Sequence, residues 1–190
     1  MIFPPHLPSL AELSRTLVRE KITTLWLTAG LFHQMVDHEI DGLRRLRQLL
    51  AGGDVLSVSH VQKVLRELPG CAMINGYGPT ENTTFTCCHR VASAEEIATS
   101  VPIGRPIANT HVYILDRYDQ LAPVGVPGEL VIGGDGLAHG LPQPPRPDGG
   151  ALCARSLQWK GGGPAVPDGG PWRATALTGP SSFWAGAISR

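Results

Sequence analysis

An α/β fold, a sheet flanked by helices with a β-hairpin region after it, is predicted by three observations in the first 140 of 190 residues. Short apolar runs alternate with segments of helical period, glycines stand where those runs end, and two further runs enclose a Pro/Gly-rich turn. That alternation is the signature of helices packed on the faces of a sheet, with ligands held beyond the carboxyl ends of its strands.

Ser9 and Glu12 have capping-box spacing, and Leu10, Leu13, Leu17 and Val18 recur behind them on one helical face. Thr23–Leu27 reads as a strand and Leu31–Ile40 as a helix. Leu46–Leu50 is a second strand, closed by Gly52 and Gly53. Ser59–Leu68 is a helix stopped by Pro69-Gly70, and Cys71–Ile74 is a third strand followed by Gly76 and Gly78. His111–Asp116 alternates apolar and polar residues, Pro123–Gly128 turns the chain, and Glu129–Ile132 returns it as a hairpin.

Composition narrows the function classes. Sixteen basic residues balance sixteen acidic ones, so charge steers the chain to neither nucleic acid nor an anionic membrane surface. No run approaches the ~20 apolar residues of a membrane span, and the amino terminus has no basic leader. Cys71, Cys87, Cys88 and Cys153 lack the spacing of a disulfide framework, which points to a reducing, cytoplasmic setting. Cys87, Cys88 and His89 have no second Cys/His group at zinc spacing and are expected to fill a strand. His33 and His38, five apart, do not share a helix face, and no helical pattern follows the glycines of residues 133–140 to make a dinucleotide loop.

Asn75-Gly76-Tyr77-Gly78-Pro79-Thr80-Glu81-Asn82-Thr83-Thr84 directly follows the third strand. Its glycines let backbone approach a ligand, Tyr77 offers a ring face, Thr80 a hydroxyl, and Glu81 an oxygen for a hard cation. Spacing alone leaves two readings: a nucleotide triphosphate and Mg2+ pocket, or a Gly-Pro turn beside a chance Thr-Glu.

This stretch resembles the adenine- and phosphate-binding motif of nonribosomal peptide synthetase adenylation domains, in the adenylate-forming family that includes acyl-CoA ligases and luciferases. Ser100-Val101-Pro102-Ile103-Gly104-Arg105-Pro106 and Gly128-Glu129-Leu130-Val131-Ile132-Gly133-Gly134-Asp135-Gly136-Leu137-Ala138 match the family in order and spacing, so the resemblance covers residues 3–140. It implies part of that family's large N-terminal domain. The reaction implied is activation of an amino acid by ATP and Mg2+ to aminoacyl-AMP, then transfer to the phosphopantetheine thiol of a peptidyl carrier protein, beside a condensation domain.

On the same resemblance, Tyr77 stacks on adenine, while Asn75 and the Gly53 backbone lie along the purine edge. Gly78 belongs to the nucleotide loop, Thr80 touches the α-phosphate, and Glu81 holds Mg2+. Thr80 and Glu81 would act catalytically by positioning and charge neutralisation, since the substrate's carboxylate is the nucleophile. Trp26, Leu50, Gly52, Gly76, Thr84 and Phe85 line the amino-acid pocket, an apolar set like those selecting valine or a similar branched aliphatic. Such a slot separates neighbours by only about 1–3 kcal/mol per methylene, so valine and isoleucine are not distinguished. The same sequence also allows Trp26 and Leu50 to be ordinary strand-end core residues.

The family pattern stops at residue 140. Residues 141–190 hold nine Gly and eight Pro, a low-complexity composition expected to be disordered. Where the family continues with a Tyr-Leu-Asn-Arg-Pro-like run, Leu141–Trp159 can be back-translated and, read one base later, spells YLNRPDLTAERFVPDPFSG. Pro164–Pro171 gives RLYRTGDL in the same way, and Ala176–Gly186 gives PDGAIEFLGR in the third frame. The expectation is a partial domain over 1–140 joined to an out-of-frame tail over 141–190. The family's phosphate loop and amino-group acid are expected upstream of Met1, and its ribose Asp and catalytic Lys downstream of residue 140. An isolated chain without them should have little or no activity, and its open edges and apolar surface should favour association. Two other functions stay in view: a noncatalytic remnant that binds nucleotide or a partner, and activation of an acid of the acyl-CoA-ligase type.

Overall fold

The computed structural model describes residues 8–138 and the two-residue strand Trp172–Arg173. Apart from that strand, the expected disordered tail lies outside the described residues. The described residues divide into two compact units, 8–77 with 88–104, and 78–87 with 105–138 and the Trp172–Arg173 strand.

The first unit opens on α1 (Leu10–Arg19), whose capping box is formed: the Ser9 N–H donates to Glu12 Oε2 at 2.8 Å, and the Glu12 N–H donates to Ser9 Oγ at 3.3 Å. Leu13 and Leu17 are buried as the helical pattern requires, while Val18 at its margin is exposed. Strand β1 (Thr24–Thr28) runs into α2 (Ala29–His38) and a 3-10 turn, Ile40–Leu43. Helix α2 starts two residues earlier than its apolar pattern indicates because it includes Gly30, a weak helix former that carries no pattern. Strand β2 (Gln48–Gly52), helix α3 (Val58–Glu67) and strand β3 (Ala72–Tyr77) follow. Cys87, Cys88 and His89 lie in β4 (Cys87–Val91), as expected of strand fillers.

Strands β1, β2 and β3 are parallel neighbours with Trp26, Leu50 and Ile74 in one row and Thr28, Gly52 and Gly76 in another, and β4 lies beyond β3. Because side chains alternate along a strand, Leu27, Leu49, Ala51 and Met73 enter the core with Phe32, Met35 and Val36 of α2 and Val61 and Val64 of α3. The opposite face carries Trp26, which is 43% exposed, and half-buried Leu50 and Ile74.

The second unit holds β5 (Arg105–Pro106) and a hairpin of β6 (Thr110–Leu115) and β7 (Glu129–Gly134), paired from Thr110 opposite Gly134 to Leu115 opposite Glu129. Leu130, Val131 and Ile132 are buried. Strand β8 (Trp172–Arg173) pairs antiparallel with β7. Among the described residues, no helix is long and apolar enough to cross a membrane.

Candidate functional site

The carboxyl ends of β1, β2 and β3 gather the first group of residues singled out in the sequence. Trp26 and Leu50 are register partners, as are Gly52 and Gly76, so at the ends of β2 and β3 this face is bare backbone beside an indole and a leucine. A Cβ on Gly52 would strike the carbonyl of Gly76, which excludes any side chain there. Gly53 follows with φ +81° and open space around it. Asn75 is one residue out of phase with Gly76 and turns inward: its Nδ2 donates to the Pro102 carbonyl at 2.8 Å, tying the end of β3 to the Ser100–Pro106 motif. Tyr77, half-buried, ends the strand. The Asn-Gly-Tyr run therefore completes β3 rather than forming a loop, because Gly76 permits the close approach of Gly52.

Past Gly52 the backbone is held by a side-chain group that sequence spacing did not reveal. The Ser57 N–H donates to His33 Nε2 at 3.1 Å, the His33 and His60 rings lie 4.5 Å apart, and His60 Nε2 meets Asp37 Oδ2 at 3.2 Å. His33 comes from the middle of α2 and His60 from the first turn of α3, two helices that pack against each other. Burial, then the neighbouring His60, holds the His33 pKa below its ordinary 6.5, while Asp37 and Asp54 oppose the shift. The hydrogen bond from His60 lowers the Asp37 carboxyl below 3.8.

The sign of the resulting pH effect follows. Folded His33 resists a proton that the unfolded chain accepts at about 6.5, so its contribution to stability is complete above that pH and is lost as pH falls below it. Urea midpoints taken at pH 7.5 and 5.5 should fall with acidification, and His33→Gln, which cannot be protonated, should flatten the dependence. An equal slope in both proteins would refute the assignment.

The second group lies in the other unit. Pro79 leads into a 3-10 turn over Thr80–Asn82, and Thr83 and Thr84 both adopt the left-handed region at φ +49° and +77°. Two consecutive threonines there cost on the order of 1–3 kcal/mol each and persist only where surrounding structure imposes them. Asn82, 1% exposed, donates from Nδ2 to Thr86 Oγ1 at 2.8 Å, and the Phe85 N–H donates to the Thr83 carbonyl at 3.0 Å. The turn leaves Thr80 and Thr84 exposed and Glu81, Phe85 and Gly78 half-buried. Among the described residues the Glu81 carboxylate has no ion-pair partner, and no cluster of three or more His, Cys, Asp or Glu could hold a metal ion. A cation on Glu81 would therefore complete its shell from water and ligand phosphates, the usual mode of Mg2+. Cys71 and Cys88 add nothing to such a site, since burial raises both thiol pKa values.

Known proteins resemble this chain over most of its length. The family described as AMP-binding enzyme matches residues 1–141. A linear gramicidin synthase protein of Brevibacillus parabrevis is 64% identical over 140 residues, which cover 74% of this chain and 2% of that protein. Gramicidin S synthase 2 of Brevibacillus brevis is 48% identical over 134 residues, 70% of this chain and 3% of that protein. The chain thus spans a few hundredths of the length of these relatives. Among solved structures, PA1221, an NRPS protein containing adenylation and PCP domains, superposes with a TM-score of 0.67 at 44% identity, covering 72% of this chain and 28% of its own. The Klebsiella oxytoca NpsA N-terminal subdomain in complex with 3-hydroxyanthranilyl-AMSN gives a TM-score of 0.68 at 28% identity, over 73% of this chain and 36% of that one.

Proposed function

The chain belongs to the AMP-binding enzyme family, and from that we propose that residues 1–140 are a central slice of an adenylation domain that activates an amino acid for nonribosomal peptide synthesis. One observation carries the reading: Asn75–Tyr77 close a parallel strand and the chain passes directly into the Thr80–Thr84 turn, with Glu81 free of any cationic partner among the described residues. The names of the relatives, peptide synthases and an adenylation–PCP protein, support the same reaction.

In that reaction a carboxylate oxygen of the amino acid bonds to the α-phosphorus of ATP as the bond to the leaving pyrophosphate breaks. Tyr77 stacks on the adenine, Asn75 and the Gly53 backbone border the purine, and Gly78 keeps the loop close to the nucleotide. Thr80 would donate to the α-phosphate, where charge develops, and Glu81 would hold Mg2+, which would supply charge neutralisation of the polyphosphate. Trp26, Leu50, Gly52, Gly76, Thr84 and Phe85 form the pocket for a valine-like branched aliphatic side chain. The mostly apolar set and its two glycines support that choice, and Trp26 with Gly52 and Gly76 favours an amino acid over a bulkier acyl acid. The acyl group then passes to the phosphopantetheine thiol of a peptidyl carrier protein, with a condensation domain as the next partner. Cys71 and Cys88 are free thiols, in keeping with a cytoplasmic setting.

Residues 141–190 are proposed to be an out-of-frame reading of the sequence that follows in the family, and sequencing the encoding DNA tests this through the codons of Leu141–Trp159. The Tyr-Arg-Thr-Gly-Asp run whose Asp holds the ribose hydroxyls in the family that this chain resembles does not occur in residues 1–190. The 190-residue chain with valine is accordingly expected to give no ATP–pyrophosphate exchange above background, and robust turnover would refute this. Saturable binding of a nonhydrolysable valyl-adenylate analogue separates a formed adenylation pocket from a remnant that binds only a protein partner.

A further inference from the structure

We propose that the end of β7 and the turn after it, residues 134–138, are a clasp that sets the Thr80–Thr84 loop, and that Thr83 and Gly136 are positioning residues for Thr80 and Glu81. All of these groups belong to the second unit. Thr83 Oγ1 donates to the Gly136 carbonyl at 2.7 Å, and the Ala138 N–H donates to the Glu81 carbonyl at 2.7 Å, so the two segments are laced on both sides of Asn82. Between those bonds, a Cβ on Gly136 would stand 2.9 Å from Asn82 Oδ1, so a side chain there must displace a buried carboxamide that Thr86 holds through a 2.8 Å bond from Asn82 Nδ2. Asn82 Oδ1 is buried without a hydrogen-bond partner, as expected where tight apposition takes precedence over satisfying every acceptor.

The lacing accounts for the loop's conformation. Thr83 and Thr84 both hold positive φ, and the threonine hydroxyl bond to Gly136 is a contact that fixes the first of them from outside the loop. A loop held this way presents Thr80 and Glu81 in one geometry before any ligand arrives, which is what catalysis by positioning requires. It also gives the glycines of residues 133–136, which open no dinucleotide loop, a local role. The clasp itself stands on these contacts alone; that it serves phosphate and Mg2+ chemistry rests on the adenylation reading above.

Amide hydrogen exchange on the whole chain without nucleotide tests it. The Asn82, Thr83 and Ala138 N–H groups are bonded to the carbonyls of Pro79, Thr80 and Glu81. In Thr83→Val, which keeps the shape and removes the hydroxyl, these three amides should exchange at least about tenfold faster, and Gly136→Ala should do the same. Thr83→Ser restores the hydroxyl and should return them to within about twofold of the parent, while Ile114 and Ile132 of the hairpin and Leu49 and Met73 of the sheet stay unchanged. The proposal fails if Thr83→Val exchanges like the parent, if Thr83→Ser exchanges like Thr83→Val, or if acceleration spreads to Ile132 in both valine and alanine variants. Adding Mg·ATP separates the clasp from its service to nucleotide: extra protection of these three amides ties the clasp to phosphate and Mg2+ chemistry, whereas a clasp that responds as described but gains none stands as a structural device only, and the adenylation reading is judged by the analogue-binding experiment above.

Discussion

Phe32→Ala is expected to destabilise the first unit by about 3–5 kcal/mol, the range for removing a fully enclosed phenylalanine. Phe32 has no exposed surface and shares one face of α2 with Met35 and Val36, three and four residues on, which are equally enclosed. That face packs on β1, β2 and α3, so the cavity would open among three elements that cannot all move in to fill it. A domain of this size has a total stability of roughly 5–15 kcal/mol, so the loss is a large fraction of the whole. Urea melts followed by circular dichroism should show a midpoint shift of that size, and Phe32→Leu, which retains most of the volume, a much smaller one. A midpoint for the alanine variant equal to the parent's would mean that α2 does not anchor the core. The consequence reaches the site, because α2 also carries His33, which holds the Ser57 amide beyond Gly53.

How much of this could be read from the chain depends on the range of the interaction concerned. Ser9 and Glu12 are three apart, and their capping box stands as the spacing requires. The alternation of strands and helices, and the hairpin from His111 to Ile132, are similarly local patterns and recur with boundaries displaced by one to three residues. Two of the displacements fall where glycine hides the pattern: Gly30 conceals the first turn of α2, and Gly76 conceals the last residues of β3. At the site, residue types in the Asn75–Thr84 stretch were legible because backbone approach, ring stacking and cation binding each need a particular side chain. Its long-range supports were not. Thr83 and Gly136 are 53 positions apart, and Ser57 and His33 are 24 apart. Only the parallel pairing of β1 and β2, with α2 and α3 packed against each other, and the return of the chain after β7 create those contacts. Asn75 has the most instructive placement. Its motif marks it for the ligand, and its carboxamide also donates to the Pro102 carbonyl, a bond that links two segments that sequence matching treats as separate.

Gly52 and Gly53 provide the sharpest contrast between space and conformation, and their alanine variants should differ accordingly. Gly52 has ordinary strand geometry, but an added methyl would meet the Gly76 carbonyl of the neighbouring strand, with the carbonyl carbon only 3.0 Å away. Relief requires β2 and β3 to part at their carboxyl ends, and overpacking of this kind costs about 1–3 kcal/mol or more. Gly53 has nothing within 4 Å of the same methyl, but its φ of +81° is a conformation that L residues adopt at a cost of about 1–2 kcal/mol. Asparagine tolerates that region, so Gly53→Asn should recover much of the stability lost in Gly53→Ala, whereas no side chain at residue 52 can relieve a collision with backbone. Denaturant midpoints for Gly52→Ala, Gly53→Ala and Gly53→Asn read this directly. The same three proteins also probe the proposed pocket. Parting β2 from β3 displaces Leu50, Gly52 and Gly76 together, so Gly52→Ala should weaken valyl-adenylate-analogue binding by about tenfold or more, as expected when a pocket is displaced by a fraction of an ångström. Gly53→Asn, which leaves the strand pairing intact, should keep the side-chain pocket and affect only the purine edge. Equal losses of binding in the two variants would dissociate the Gly52–Gly76 pair from substrate recognition, and leave it a purely structural contact between strands.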